Sequence, residues 1–395
     1  MRRRAWAAQA AAWACGIVLG VSSTPAASQD RQVAFAGVAY SGDAASMAQR
    51  FQYSEKYKKA LEANGDTPYR HAWAAVQQSK RPGFSITTEK LEDLRGRDQA
   101  LVVSLVLNSE TVSIENFGDT RKLFVLIRGQ ALFFDFKSMT VVRSYPLSFG
   151  YVDNFNHIPT EDEILERVRQ VYEGAQGKPG IFARFASSLA DASIPTQTPR
   201  YLQVSRVSLA PDVLSGLPAY LHGPAMVSET WAADMVAEAI SSRVGVPLVP
   251  YAKGYAIGNV MSTTFQDSTV VSLTLPTPDY EVSVDFKALK KVRYSQSAAG
   301  SAFIYGVYAD IRIQEPLSGT TYMNTALKNG EVKVVPASQT FVDDFPAYYD
   351  SLNGMFVKLA DSVAGKGNSW VKTAAAAPDI ELQVSKTKEL MDLCK

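Results

Sequence analysis

The chain has 395 residues, with 40 Lys and Arg against 39 Asp and Glu, 46% apolar and 10% aromatic residues, and two cysteines, Cys15 and Cys394. A balance this close to neutral gives no basic bias to draw nucleic acid or an anionic membrane surface. The length exceeds what one core usually holds, so two domains are expected.

Arg2, Arg3 and Arg4 precede an Ala-rich apolar stretch from Ala5 to Val21, and Ala26-Ala27-Ser28 puts small residues at a cleavage position. This order is that of a secretory signal peptide over residues 1–28, cleaved near residue 28 and sending the chain to the periplasm, with association to the outer membrane as a further option. Its removal leaves 37 bases against 39 acids and Cys394 alone. The exported chain then has no internal disulfide and depends on its core for stability. No later segment is apolar enough over a sufficient length to predict a transmembrane helix in the mature chain.

A strand is predicted over Val33 to Tyr40, then a helix near Ala45 to Ala63. Leu101 to Leu107, Thr111 to Phe117, Lys122 to Phe136 and Thr140 to Tyr145 are β-branched and aromatic segments of an antiparallel or mixed meander, with Lys137-Ser138 as a hairpin connection. Thr160 to Glu163 is a capping box opening a helix with Ile164, Val168, Val171 and Tyr172 on one stripe and Gly174 as its stop. Ala175 to Arg200 holds a short helix and the Pro195 to Pro199 run of a linker.

The second half repeats this grammar. A strand is expected over Leu202 to Leu209, a helix over Ser228 to Arg243 with Trp231, Met235, Ile240 and Val244 as a core stripe, and Gly245 as the stop. Thr269 to Leu275, Tyr280 to Lys287, Ala302 to Gln314 and Thr320 to Asn324 are read as its β segments. Leu317-Ser318-Gly319 is a tight turn, and Asn329-Gly330 carries a strong hairpin signal. A last helix begins around Asp344 or Pro346, with Tyr348, Leu352, Phe356, Leu359 and Val363 before Gly365. After that the chain reads as a flexible tail, with a short amphipathic piece from Ile380.

Residues 146–155 and 336–345 share five identities in ten positions. Further pairings, in order, are Val38–Asp43 with Val207–Asp212, Val102–Leu105 with Val270–Leu273, and Asp135–Thr140 with Glu315–Thr320; their displacements, 169, 168, 180 and finally 190 at the first match, are level and then rise, as loop insertions in a duplicated domain produce. The expected architecture is therefore α+β (mixed α/β). Two tandem related domains, residues 31–190 and 201–365, each have a small mixed or antiparallel sheet packed with two helices. A linker spans 191–200 and a flexible tail 366–395.

Nothing in the motifs points to catalysis, a cofactor or a metal. The three histidines, His71, His157 and His222, are far apart in sequence, and no His-Glu-x-x-His, Gly-x-Ser-x-Gly or phosphate loop is present. His222 reads as a loop residue. Asp153-Asn154 and Asp343-Asp344 read as caps ahead of a helix, with Phe155 or Phe345 packing beneath. The segment from Pro250 to Met261 has the Tyr, Lys and Gly content of a recognition loop, so Tyr251, Lys253 and Tyr255, with Tyr349 on the last helix, are the candidate partner-binding residues.

The order strand, helix, strand, then a β-meander whose hairpin reads as an acid followed by a Ser/Thr turn (Asp135 to Thr140, Glu315 to Thr320), then a final helix, resembles a group of bacterial envelope domains. These are the curli secretion channel family, the lipoprotein activators of penicillin-binding proteins and the amino-terminal domain of the Tol-Pal propeller protein. The chain lacks the lipidated cysteine of the first two. The resemblance implies a non-catalytic assembly or docking role with a protein partner in the cell envelope, or self-association. The alternatives are a subunit of an envelope ring or secretion pore, whose hairpin from Lys122 to Tyr145 would join neighbours, and a hydrolase with an unconventional site.

Overall fold

The computed structural model describes residues 32–42, 44–80, 83–88, 100–117, 119–195, 199–222, 227–251, 256–257, 259–339, 341–367 and 369–395. The signal peptide reading over 1–28 falls outside them. In chain order the elements are β1 (Gln32–Ser41), α1 (Ala44–Arg50), α2 (Gln52–Ala63), α3 (Pro68–Gln78), β2 (Ser85–Thr87), β3 (Leu101–Phe117), β4 (Thr120–Asp135), β5 (Thr140–Phe155), α4 (Glu161–Glu173), the two-residue strands β6 (Gly174–Ala175) and β7 (Lys178–Pro179), and α5 (Ile181–Asp191). There follow β8 (Leu202–Leu209), α6 (Pro211–Ser215), α7 (Val227–Val244), β9 (Ala256–Ile257), β10 (Val260–Phe265), β11 (Val270–Thr274), β12 (Tyr280–Ser297), β13 (Gly300–Glu315), β14 (Thr320–Pro336), α8 (Phe345–Val363), α9 (Ser369–Ala374) and α10 (Ile380–Leu393). The class is mixed α+β. Among the described residues no helix is long and apolar enough to cross a membrane.

The first sheet runs β2-β1-β3-β4-β5-β11-β10-β9. Because β1 also pairs with β10 (Ala39 with Phe265) and β11 reaches β5 (Thr274 with Thr140), six of its strands form a closed ring. Val102, Val106, Leu132, Phe134, Met261 and Leu273 fill one side of the sheet there, while Tyr57, Ala72, Val168 and Phe185 from α2 to α5 cover the other. Where both faces are dry, along Val102–Leu107 of β3 and Leu126–Phe134 of β4, the strands are buried at every position rather than at alternate ones.

The second sheet, β14-β13-β12-β8, is covered on one face only. Val282, Val284, Phe286, Val307, Ile311 and Ile313 point inward against α7 and α8. α7 in turn shares its core with Leu126 of β4, so these helices lie between the two sheets. β14 alternates with period two, its even-numbered residues from Asn324 to Pro336 exposed and its odd ones more buried.

The two meanders match in detail. In each, the first strand runs parallel to the second (β1 with β3, β8 with β12) and the next two pairings are antiparallel. One extra residue bulges β1 at Ala36–Gly37 and β8 at Ser205; another bulges β3 at Asn108 and β12 at Lys287; a third bulges β5 at Val142 and β14 at Tyr322. The β4–β5 and β13–β14 turns place Met139 and Gly319 at positive φ, 52° and 71°.

Several expectations need correction. Thr269 to Leu275 is not part of the second meander: it is β11, and it completes the first sheet. Residues 146–155 lie in β5, whereas 336–345 run from the end of β14 through a connection to the start of α8, so that match joins unlike structure. Of the expected caps only Asp343 meets a helix start, accepting from the Phe345 N–H at 3.1 Å; Asp153 and Asp344 do not cap. Asp153 Oδ2 accepts from Arg167 Nε at 2.7 Å, and Asp344 makes no side-chain cap bond, instead accepting from Tyr305 and Lys291. Asn329-Gly330 sits inside β14, because Asn329 is buried and its amide donates to Ser351 O at 2.8 Å while Lys358 and Trp370 donate to its carbonyl oxygen. The predicted first helix is interrupted at Phe51, and α3 was not expected. The segment 366–395 is not a flexible tail: Ile380, Val384, Leu390 and Met391 of α10 are buried against the second sheet, and burial on the order of 1.5–3 kcal/mol per side chain outweighs the cost of ordering one short helix.

Candidate interaction surface

The covered side of the second sheet is fixed to the first through a charged knot. Asp234 and Glu238, one turn apart on α7, face Arg128 of β4; Arg128 Nη1 lies 3.5 Å from Glu238 Oε2, which also accepts from Ser148 Oγ at 2.6 Å. Asp234 is buried with one carboxylate oxygen lacking a partner among the described residues. Burial pushes its pKa up to about 7, Arg128 opposing and Glu238 reinforcing the rise. Asp234 and Arg128 are buried where the layers attach, while Glu238 also lines a cleft of about 440 Å³ with Tyr145, Arg184 and Arg243.

Among the described residues nothing covers the opposite face of the second sheet. Its lower half holds a polar groove of about 550 Å³ lined by Arg206, Ser283, Asp285, Asp310, Arg312 and Asn324, among others. Charges of both signs alternate across adjacent strands there: Arg206 Nη2 reaches Asp285 at 3.4 Å and Lys287 reaches Asp310 at 3.1 Å. Exposed pairs of this kind contribute under about 1 kcal/mol each and are readily exchanged for a partner's charges.

The upper half changes character. Val292, Ile304 and Val332 stand side by side across three strands, with Ala302 and Val334 in the next row. Val292, Val332 and Val334 are 54%, 57% and 71% exposed, and Tyr294 at a bulge beside them is 70% exposed. The reverse face of this end is anchored: Lys291 bonds Asp344 at 2.7 Å, Tyr305 donates to the same carboxylate at 2.6 Å, and Lys333 meets Asp350 at 2.8 Å. The β12–β13 turn that ends it depends on Gly300, with φ 154°, where a Cβ would fall 2.3 Å from Val335 O.

The residues predicted to bind a partner are not gathered here. Tyr251 is 4% exposed and packs in the core between the sheets, its hydroxyl raised to about 12 by burial first and by Glu229 and Asp234 after it, so it offers no surface. Tyr349 is half-buried between Trp231 and Phe345, at 6.2 Å from each ring, and burial raises its hydroxyl as well. Lys253 and Tyr255 lie outside the described residues. His222, as expected of a loop residue, points its Nε2 to the Leu214 carbonyl at 2.7 Å. The outer-face residues were missed, although the alternation of Asn324, Ala326, Lys328, Gly330, Val332 and Val334 was there to be read as a one-sided strand.

No family model matches this chain, and no curated protein matches it. Among solved structures it is similar to a putative lipoprotein of Caulobacter crescentus, at 11% identity and a TM-score of 0.21 over 36% of this chain and 84% of that one. A Xanthomonas campestris protein shows 11% identity and a TM-score of 0.21 over 45% and 91%. A minor lipoprotein of Acinetobacter baumannii shows 11% identity and a TM-score of 0.20 over 45% and 99%.

Proposed function

We propose that the protein is a non-catalytic scaffold of the bacterial cell envelope, built from a duplicated α/β unit, that docks a protein partner on the uncovered face of its second sheet. The observation that carries this is the asymmetry of the two sheets: α2 to α5 cover the outer side of the first over β1, β3, β4 and β5, while no described residue covers the outer face of the second, which holds a mixed-charge groove at its lower end. The duplication is supported by three one-residue bulges and a positive-φ turn at matching places in both meanders. Insertions of this kind are specific to a strand position and do not arise from strand order alone. The periplasmic location is supported by the Arg2–Arg4 and Ala5–Val21 leader pattern. The partner would present its own acids and bases to Arg206, Asp285, Asp310 and Arg312.

The test is cross-linking in intact cells followed by purification, comparing the native chain with Arg206→Glu/Arg312→Glu and with Glu166→Lys on the helix-covered side. A discrete partner should be lost with the first variant and kept with the second. Equal recovery with both would remove the groove from the account.

A further inference from the structure

We propose that the upper end of the second sheet rests on an anionic phospholipid surface. This goes beyond the docking role and stands on a different part of the sheet, so either can fail without the other. Residues 287–303 carry Lys287, Lys290, Lys291 and Arg293 with no acid, and residues 328–339 carry Lys328 and Lys333 against Glu331 alone, six bases to one acid in a chain that is otherwise close to balance. Lys287, Lys291 and Lys333 are held by carboxylates, but Lys290, Arg293 and Lys328 have no carboxylate partner among the described residues. Lys290 instead lies over the Tyr308 ring at 5.1 Å, and Arg293 bonds the Gln296 amide.

Two features select a membrane over a second protein surface. The unpaired charges have one sign, unlike those of the groove below them, so their complement is a uniformly negative field rather than a mixed one. The apolar side chains beside them, Val292, Val332, Val334 and the amphipathic Tyr294, are exposed together at one end of a rigid sheet. Tyr is the residue type that sits at the headgroup level, and a shallow apolar row beneath basic residues is the arrangement of an interfacial contact. The anchoring of the reverse face by Asp344 and Asp350 holds the row outward, so binding would need no rearrangement.

The test is co-flotation of the chain from Gln29 onward, without the leader's apolar stretch; the three described cores lie within residues 33–394, so the fold is kept whole. Vesicles of phosphatidylcholine alone are compared with vesicles holding phosphatidylglycerol. The chain should float only with the anionic vesicles and be released by salt. Each base near such a surface is worth about fivefold in partitioning, so Lys290→Gln/Lys328→Gln, on the same face of the sheet as Val292 and Val332, should weaken binding roughly 30-fold. Val292→Ser/Val334→Ser should weaken it too, and Arg206→Gln/Arg312→Gln, of equal charge change in the groove, should leave it unaltered. Unchanged melting would show that the variants fold. Binding that is absent, equal on neutral vesicles, or lost equally with the groove variant would overturn the proposal. So would a dimer in light scattering that only the tip variants dissociate, which would make a second copy the occupant.

Discussion

Asp234→Asn is expected to stabilise the protein above neutral pH and to lose that advantage in acid. In the folded chain the Asp234 carboxyl titrates near 7, against 3.8 for the free group, because burial outweighs the attraction of Arg128. Below pH 3.8 both states hold the proton and folding has no ionisation to oppose. As pH rises from about 4 to about 7 the unfolded chain releases it while the folded chain keeps it, so stability is lost across that window and is level above it. A shift of this size corresponds to about 4 kcal/mol at pH 8 and about 1 kcal/mol at pH 4.5. Asn keeps the shape and carries no charge. In urea unfolding, the gain of Asp234→Asn over the native chain at pH 8 should exceed the gain at pH 4.5 by about 3 kcal/mol, less whatever Arg128 loses by keeping only Glu238. A difference of zero, or one of opposite sign, would mean that Asp234 is ionised in the fold and that the knot between the layers is a true ion pair.

Other outcomes follow from single contacts. The Cys394 thiol is buried and pushed up to about 12, so it should resist alkylation in the native protein at pH 8 and react at once in urea, and no disulfide-linked dimer should appear in oxidising buffer. Thr160→Ala removes the acceptor of the Glu163 N–H at 3.3 Å and should cost about 1 kcal/mol in thermal or urea unfolding. Tyr251→Phe deletes a buried hydroxyl that has no partner among the described residues, and should leave stability unchanged or raise it, with no effect on partner recovery. Gly300→Ala forces a Cβ to within 2.3 Å of Val335 O and should loosen the β12–β13 turn, seen as faster amide exchange over 295–302.

What could be read in the sequence was what neighbours in the chain decide. The Thr160–Glu163 capping box, the α7 stripe ending at Gly245, the β8 strand and the turns at Lys137-Ser138 and Leu317-Ser318-Gly319 all rest on residues a few positions apart. What could not be read depended on distant partners. β11 has the composition of a second-half strand, yet its hydrogen-bonding neighbours β10 and β5 belong to the ring of the first sheet. Asn329-Gly330 has the chemistry of a turn, but Ser351, Lys358 and Trp370, all from later helices, hold Asn329 in an extended strand. The basic tip was hidden for a different reason: a whole-chain balance near zero averages away six bases that two hairpin strands bring to one end of a sheet.

The uncovered face of the second sheet is the working surface of this account, and its accessibility in living cells tests that most directly. Single cysteines at Arg312→Cys and Asn324→Cys on that face, and at Glu166→Cys on α4, would be alkylated in intact cells and again in the purified protein. Labelling at 312 and 324 should slow at least about tenfold in cells while 166 reacts equally in both, since a bound partner excludes reagent from the face it covers. Equal rates in cells and in solution at all three positions would leave the face bare where the protein works, and the scaffold reading would fall.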